Sequence, residues 1–266
     1  MTDRPGSRVS NSWALVASLV TMATLIAWDA SAQDLFELEV FRYESAGAGE
    51  YEVEFHTNAM SRGTIAPASV AANHRPVHMS VEVTRGWTPR FETALFVQTA
   101  PFGSNGSARF AGGHLRTKYR IGETPRVPLG VAVSAEYTFN RSAFDGELQT
   151  LEIRPILDYT QGRLWLVANP SVEMVTRGSD EGLQPTFDLS ASAGWQLAPR
   201  LSVTTDYFSR SATTRHLAPE LDAHHLVFGG LNLDLNDQWE LSLALGHCFT
   251  SREPWLMRSV IGYRFR

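Results

Sequence analysis

Trp255-Leu-Met-Arg-Ser-Val-Ile-Gly-Tyr-Arg-Phe-Arg266 closes the chain, and its alternation narrows the fold to two kinds. Successive side chains of a strand point to opposite faces. Trp255, Met257, Ile261, Tyr263 and Phe265 therefore share one side, and Arg258, Arg264 and Arg266 share the other. A soluble sheet turns its apolar side to a packed core and its cations to water. A transmembrane barrel turns the apolar side to lipid and the cations to a polar interior.

The same period of two recurs along the chain. Phe187, Leu189, Ala191, Ala193 and Trp195 oppose Asp188, Ser190, Ser192 and Gly194. Trp239, Leu241, Leu243, Leu245 and Phe249 oppose Glu240, Ser242, Ala244, Gly246 and Cys248. Twelve such segments fall near 50–57, 77–85, 91–100, 110–121, 129–140, 148–159, 164–176, 186–196, 201–210, 224–235, 239–250 and 255–266. At about ten residues they exceed the usual five or six of globular strands and match a tilted crossing of a bilayer. The connections alternate between tight turns, such as Leu197-Ala-Pro-Arg-Leu201, and longer loops, such as 58–76 and 211–223. Trp87, Phe91, Tyr159, Trp165, Trp195, Trp239, Tyr263 and Phe265 cluster at the tight-turn end, where an aromatic girdle is expected at the lipid–water boundary. The pattern predicts one all-β domain over residues 50–266, an antiparallel transmembrane β-barrel of about twelve strands. Pro155 and Pro170 sit inside strands and each removes a ladder donor, so bulges or bends are expected there.

Ahead of the barrel, Arg4 and Arg8 precede the apolar run Trp13–Trp28, and Ala30-Ser31-Ala32 follows. This is the pattern of a secretory signal peptide over residues 1–32, cleaved before Gln33. Leu35–Tyr43 alternates weakly, but a thirteenth strand would put the termini on opposite sides of a membrane. Residues 33–49 are therefore expected to form a periplasmic segment, or to tuck against the barrel mouth. A net charge of −5 offers no basic excess for nucleic acid. The single Cys248 excludes an intrachain disulfide. Neither a phosphate loop nor an HExxH motif occurs, and no cofactor is expected.

Two groups of residues carry a resemblance. The terminal Tyr263-Arg-Phe265 alternation, preceded by Leu231–Leu243, resembles outer-membrane β-barrels of Gram-negative bacteria. Gly112-Gly-His-Leu-Arg-Thr-Lys-Tyr119 and Leu151-Glu-Ile-Arg-Pro155 are loosely similar to the transporter-like family associated with the meta-pathway of phenol degradation. The resemblance implies residence in the outer membrane, contact with its lipid, assembly by the barrel-insertion machinery and passage of a small solute. Such barrels usually end on phenylalanine, whereas here Arg266 follows Phe265.

With the apolar parity facing lipid, the other parity lines the lumen. Arg116, Lys118, Arg154 and Arg258 are the candidates for contact with a small solute, with Glu136, Glu152 and Glu173 as counter-charges. The same charges also suit an ion-paired plug that merely satisfies buried groups. Aligning the hairpins by their turns places Glu92 near Arg120, Glu136 near His114 or Arg116, and Glu136 near Glu152. His247 and Ser259 offer a lipid-facing base and nucleophile, but no Asp or Asn is placed to orient the imidazole, so catalysis is not expected. His216, Asp222, His224 and His225 have irregular spacing and are expected to be a solvated loop rather than a metal site.

Overall fold

The computed structural model describes residues 38–60, 77–102, 107–123, 128–178, 185–211, 224–249 and 255–266. The proposed signal peptide, His216 and Asp222 lie outside the described residues. Twelve strands follow one another: β1 (Tyr51–Met60), β2 (Val77–Thr88), β3 (Phe91–Phe102), β4 (Ser107–Glu123), β5 (Leu129–Asn140), β6 (Glu147–Gln161), β7 (Leu164–Gly178), β8 (Thr186–Ala198), β9 (Leu201–Ser211), β10 (His224–Asp234), β11 (Trp239–Cys248) and β12 (Trp255–Phe265). Each pairs antiparallel with its sequence neighbours. β1 closes on β12 from Tyr51 opposite Phe265 to Met60 opposite Leu256. The result is a closed antiparallel β-barrel of the outer-membrane type with no free sheet edge, and the described residues contain no helix.

The period of two sets what each face meets. Leu95, Leu115, Leu233, Leu243, Leu245, Met257 and Ile261 point outward and are exposed, whereas Glu82, Gln98, His114, Arg116 and Ser134 are buried. A soluble fold shows the reverse. Polar inside and greasy outside is stable where hydrocarbon replaces water around the wall. At the tight-turn end Trp87, Trp195, Trp239 and Phe265 remain exposed, as a girdle requires. Trp165 departs from that expectation: it is 8% exposed and turns inward opposite Gly194, where a β-carbon would fall on its indole ring.

Pro155 and Pro170 sit across from each other in the β6–β7 ladder. Pairing runs to Ile153 opposite Val172, lapses, and resumes on the same register at Leu157 opposite Ala168. Placing both prolines in one gap confines the lost donors to a single interruption. The register shifts between these strands fall instead at Glu147–Thr150.

Residues 38–50 form no strand. The expectation of a segment outside or against the mouth does not describe where most of it lies. Leu38 is buried against Met60, Leu226, Cys248 and Leu256 at the long-loop end of the barrel. Phe41 is buried against Ala132 and Ile156 of β5 and β6. Gly49 and Glu50 bond to Gly86 at the tight-turn end, with Gly49 N–H donating to the Gly86 carbonyl at 2.8 Å and Gly86 N–H to the Glu50 carbonyl at 2.9 Å. The chain therefore passes lengthwise down the lumen before entering β1. Simple dimensions explain why it fits. Twelve strands about 4.8 Å apart and tilted by about 40° enclose a backbone cylinder about 24 Å across. Inward side chains leave a bore of about 10–12 Å, roughly the width of one extended chain with its side chains.

Candidate functional site

The site is the lumen wall where it meets residues 38–50. Inward groups of the wall take the segment's backbone amides as a partner strand would. Phe41 N–H donates to Asn169 Oδ1 at 2.7 Å, and Asn169 Nδ2 donates back to the Phe41 carbonyl at 3.0 Å. Tyr43 N–H donates to Asp158 Oδ2 at 3.1 Å, and Ala46 N–H to Glu92 Oε2 at 2.7 Å. In an enclosed bore an unpaired amide costs about 1–3 kcal/mol, so these four bonds let a strandless segment stay buried. Asn169 comes from β7 beside the proline gap, and its amide supplies one donor and one acceptor at the correct spacing for a single residue's backbone.

The four cations expected to meet a solute are all engaged with this segment. The Arg116 guanidinium lies 4.2 Å from the Phe41 ring centre and the Arg154 guanidinium 4.6 Å, so two cations embrace one aromatic ring. Lys118 Nζ donates to the Glu44 carbonyl at 2.6 Å, and Arg258 Nη1 donates to the Leu38 carbonyl at 2.5 Å. Each is also neutralised by the wall. Arg116 pairs with Glu82 at 2.5 Å, Lys118 with Glu92 at 2.8 Å and Arg154 with Glu152 at 2.6 Å, while Arg258 pairs with Asp206. The segment returns a cation of its own, since Arg42 Nε lies 3.0 Å from Asp158 Oδ2.

Of the expected counter-charges, Glu152 pairs with Arg154 as above. Glu136 sits opposite both Arg116 and Glu152, is buried, and lies 3.6 Å from His114 Nδ1. Glu173 is opposite Glu152 on the far side of β6 and half-buried. Glu92 faces Lys118 rather than Arg120, a register two residues from the one inferred from the turns. Arg120 instead stacks on Tyr43 at 4.1 Å. Two glycines of the wall make room for the segment. A β-carbon on Gly130 would fall on the Tyr43 ring, and one on Gly86 on the backbone carbonyls of Ala46 and Gly47.

Period-two reasoning missed the apolar part of the lining. Phe96, Ile156, Phe208 and Phe228 point inward and are almost fully buried. Their signal was present as breaks in the alternation: Leu95-Phe96-Val97, Ile156-Leu157 and Leu226-Val227-Phe228 are apolar on both parities. Such runs mark a wall with lipid on one side and a packed interior on the other. The pair His247 and Ser259 is not brought together, because His247 faces Trp255 and Ser259 faces Leu243. The His247 ring packs on Phe249 and Trp255 at 4.8 and 4.9 Å. His224 and His225, expected in a solvated loop, instead open β10, and His225 shares a 2.7 Å hydrogen bond with the Tyr207 hydroxyl.

No family model and no curated protein sequence matches the chain. Solved structures do. The KdgM porin aligns with a TM-score of 0.56 at 10% identity, covering 81% of this chain and 99% of that one. The NanC porin aligns at 0.56 and 8% identity, over 81% and 99%. An outer-membrane channel from Pseudomonas putida F1 aligns at 0.58 and 8% identity, over 86% of this chain and all of that one. At these identities the likeness is one of architecture, and the chain has the fold of the porin-like outer-membrane barrels.

Proposed function

We propose that the protein is an outer-membrane channel of a Gram-negative bacterium that passes a small polar solute without covalent chemistry, and that residues 38–50 close it at rest. One observation carries the reading: Arg116, Lys118, Arg154 and Arg258 all hold the segment. A bore just wide enough for one chain conducts only when that chain moves. The contacts are noncovalent, and the wall beneath them is lined by charges that favour water and ions once the segment is withdrawn. Likeness in fold to the KdgM and NanC porins and to the P. putida channel supports the class of function. In this reading the four cations, with Glu136, Glu152 and Glu173, become the solute-facing lining after release. The proposed transporter-like kinship with the meta-pathway phenol-degradation family rests on the sequence resemblance.

A second reading has its own support. Leu38, Phe208, Leu226 and Phe228 share an apolar cluster inside the bore, as in a barrel permanently filled. Planar-bilayer recordings separate the two. The channel reading predicts brief, rare openings of the full chain and sustained conductance after deletion of residues 38–46. A folded deletion variant that stays silent would identify a structural barrel.

A further inference from the structure

The wall of β1 and β2 holds a second cluster that the channel reading leaves unused. Glu54 and His56 of β1 and Glu82 of β2 converge with Glu39 of the luminal segment, and one ligand atom from each lies within 4.8 Å of all the others. His56 is 5% exposed and Glu82 1%. His56 Nε2 and Glu82 Oε2 are sealed from solvent and make no hydrogen bond. The other oxygen of Glu82 is fully occupied, taking Arg116 Nη2 at 2.5 Å and the Thr84 hydroxyl at 2.6 Å. Oε2 is thereby turned toward the imidazole.

The spacing identifies what these atoms suit. His56 Nε2 stands 3.6 Å from Glu54 Oε2 and 3.6 Å from Glu82 Oε2. That is too long for a hydrogen bond, which for these groups spans about 2.7–3.2 Å. It is close to the edge of a coordination tetrahedron, about 3.4 Å for metal–ligand bonds of about 2.1 Å. Charge agrees as well. Three carboxylates beside the Arg116 cation leave a residue of two negative charges around the imidazole, which binds a metal in its neutral form and releases its proton in doing so. An imidazole among carboxylates favours first-row transition cations over calcium or magnesium.

We propose that Glu39, Glu54, His56 and Glu82 form a binding site for one divalent transition cation, which bridges the luminal segment to the barrel wall. Three ligands belong to the wall and one to the segment, so the ion ties the two together. The inference does not depend on solute passage, because a permanently filled barrel would bind the ion equally well.

The test titrates the folded, detergent-solubilised protein, stripped with a chelator, with Co2+ followed by its visible ligand-field absorption, and then displaces the Co2+ with Zn2+. Saturable uptake of one ion per chain is expected, weakened at least tenfold in both His56→Gln and Glu39→Gln, a loss on the scale that metal-site substitutions produce. Heat-dependent gel mobility reports whether each variant is folded. If His56→Gln does not fold, Glu39→Gln, which changes no strand residue, carries the test alone. Absence of stoichiometric uptake by the unaltered protein, or uptake unchanged in a folded His56→Gln, overturns the site. Uptake unchanged in Glu39→Gln overturns the bridge.

Discussion

Replacing Phe41 with alanine perturbs the proposed closure at its centre. The ring is 2% exposed, lies against Ala132 and Ile156, and is flanked by Arg116 and Arg154 at 4.2 and 4.6 Å. When the segment leaves the bore the ring passes into water, so the seated state loses the transfer term, about 1.5–3 kcal/mol for a fully buried phenylalanine. The two cations regain hydration on release, and their combined attraction adds about 1 kcal/mol. A loss of about 3 kcal/mol corresponds to about a hundredfold shift toward the unseated state, at 1.4 kcal/mol per factor of ten. Phe41 is not part of the strand ladder, so resistance of the barrel to unfolding should change little. The assay is open probability in planar bilayers. Phe41→Ala is expected to open about a hundred times as often as the unaltered protein, with the same conductance per opening. An unchanged open probability in a folded variant would mean that the ring's seat does not govern closure.

Other substitutions probe separate contacts of the segment and the wall. Asn169→Ala strands the buried N–H and carbonyl of Phe41, at about 1–3 kcal/mol each, and should raise open probability at least tenfold in the same recordings. Gly130→Leu puts a side chain where the Tyr43 ring sits, so the folded variant should expose the 38–50 segment to protease in detergent while its strands resist. Leu115→Arg places a cation on the outward face at mid-strand, where it should cost about 2–4 kcal/mol in unfolding titrations from lipid vesicles. The neighbouring Arg116 faces the other way, and Arg116→Leu should destabilise by leaving the Glu82 carboxylate without its cation in the sealed interior, about 3–5 kcal/mol in the same titration.

Strand positions and sidedness were legible in the sequence because one physical cause writes both. A wall one side chain thick, between hydrocarbon and a polar bore, imposes strict alternation, and the segments read at 129–140 and 77–85 appear as β5 (Leu129–Asn140) and β2 (Val77–Thr88). The turn between β4 and β5 narrowed the partner of Glu136 to His114 or Arg116, and Arg116 is the one opposite; Glu152 also stands opposite Glu136 as expected. The long-loop hairpin of β3 and β4 was not fixed in this way, and Glu92 pairs with Lys118 two residues from its expected partner. What alternation cannot encode is the content of the bore. The segment 38–50 uses single amides to side chains such as Asn169, Asp158 and Glu92, and a strandless chain bound through scattered side chains leaves no periodic trace. The inward Phe96 and Phe228 did leave a trace, as interruptions of the period, and it marks where the interior is packed rather than wet.

Hydrogen–deuterium exchange of the membrane-embedded protein reports whether residues 38–50 fill the bore. The amides of Phe41, Tyr43, Ala46, Gly47, Gly49 and Glu50 are all hydrogen-bonded although none belongs to a strand. A segment closing the bore predicts that peptides covering residues 38–50 exchange orders of magnitude more slowly than an unfolded chain, approaching the barrel strands. Exchange of that stretch at the unfolded-chain rate, with the strands protected, would contradict it.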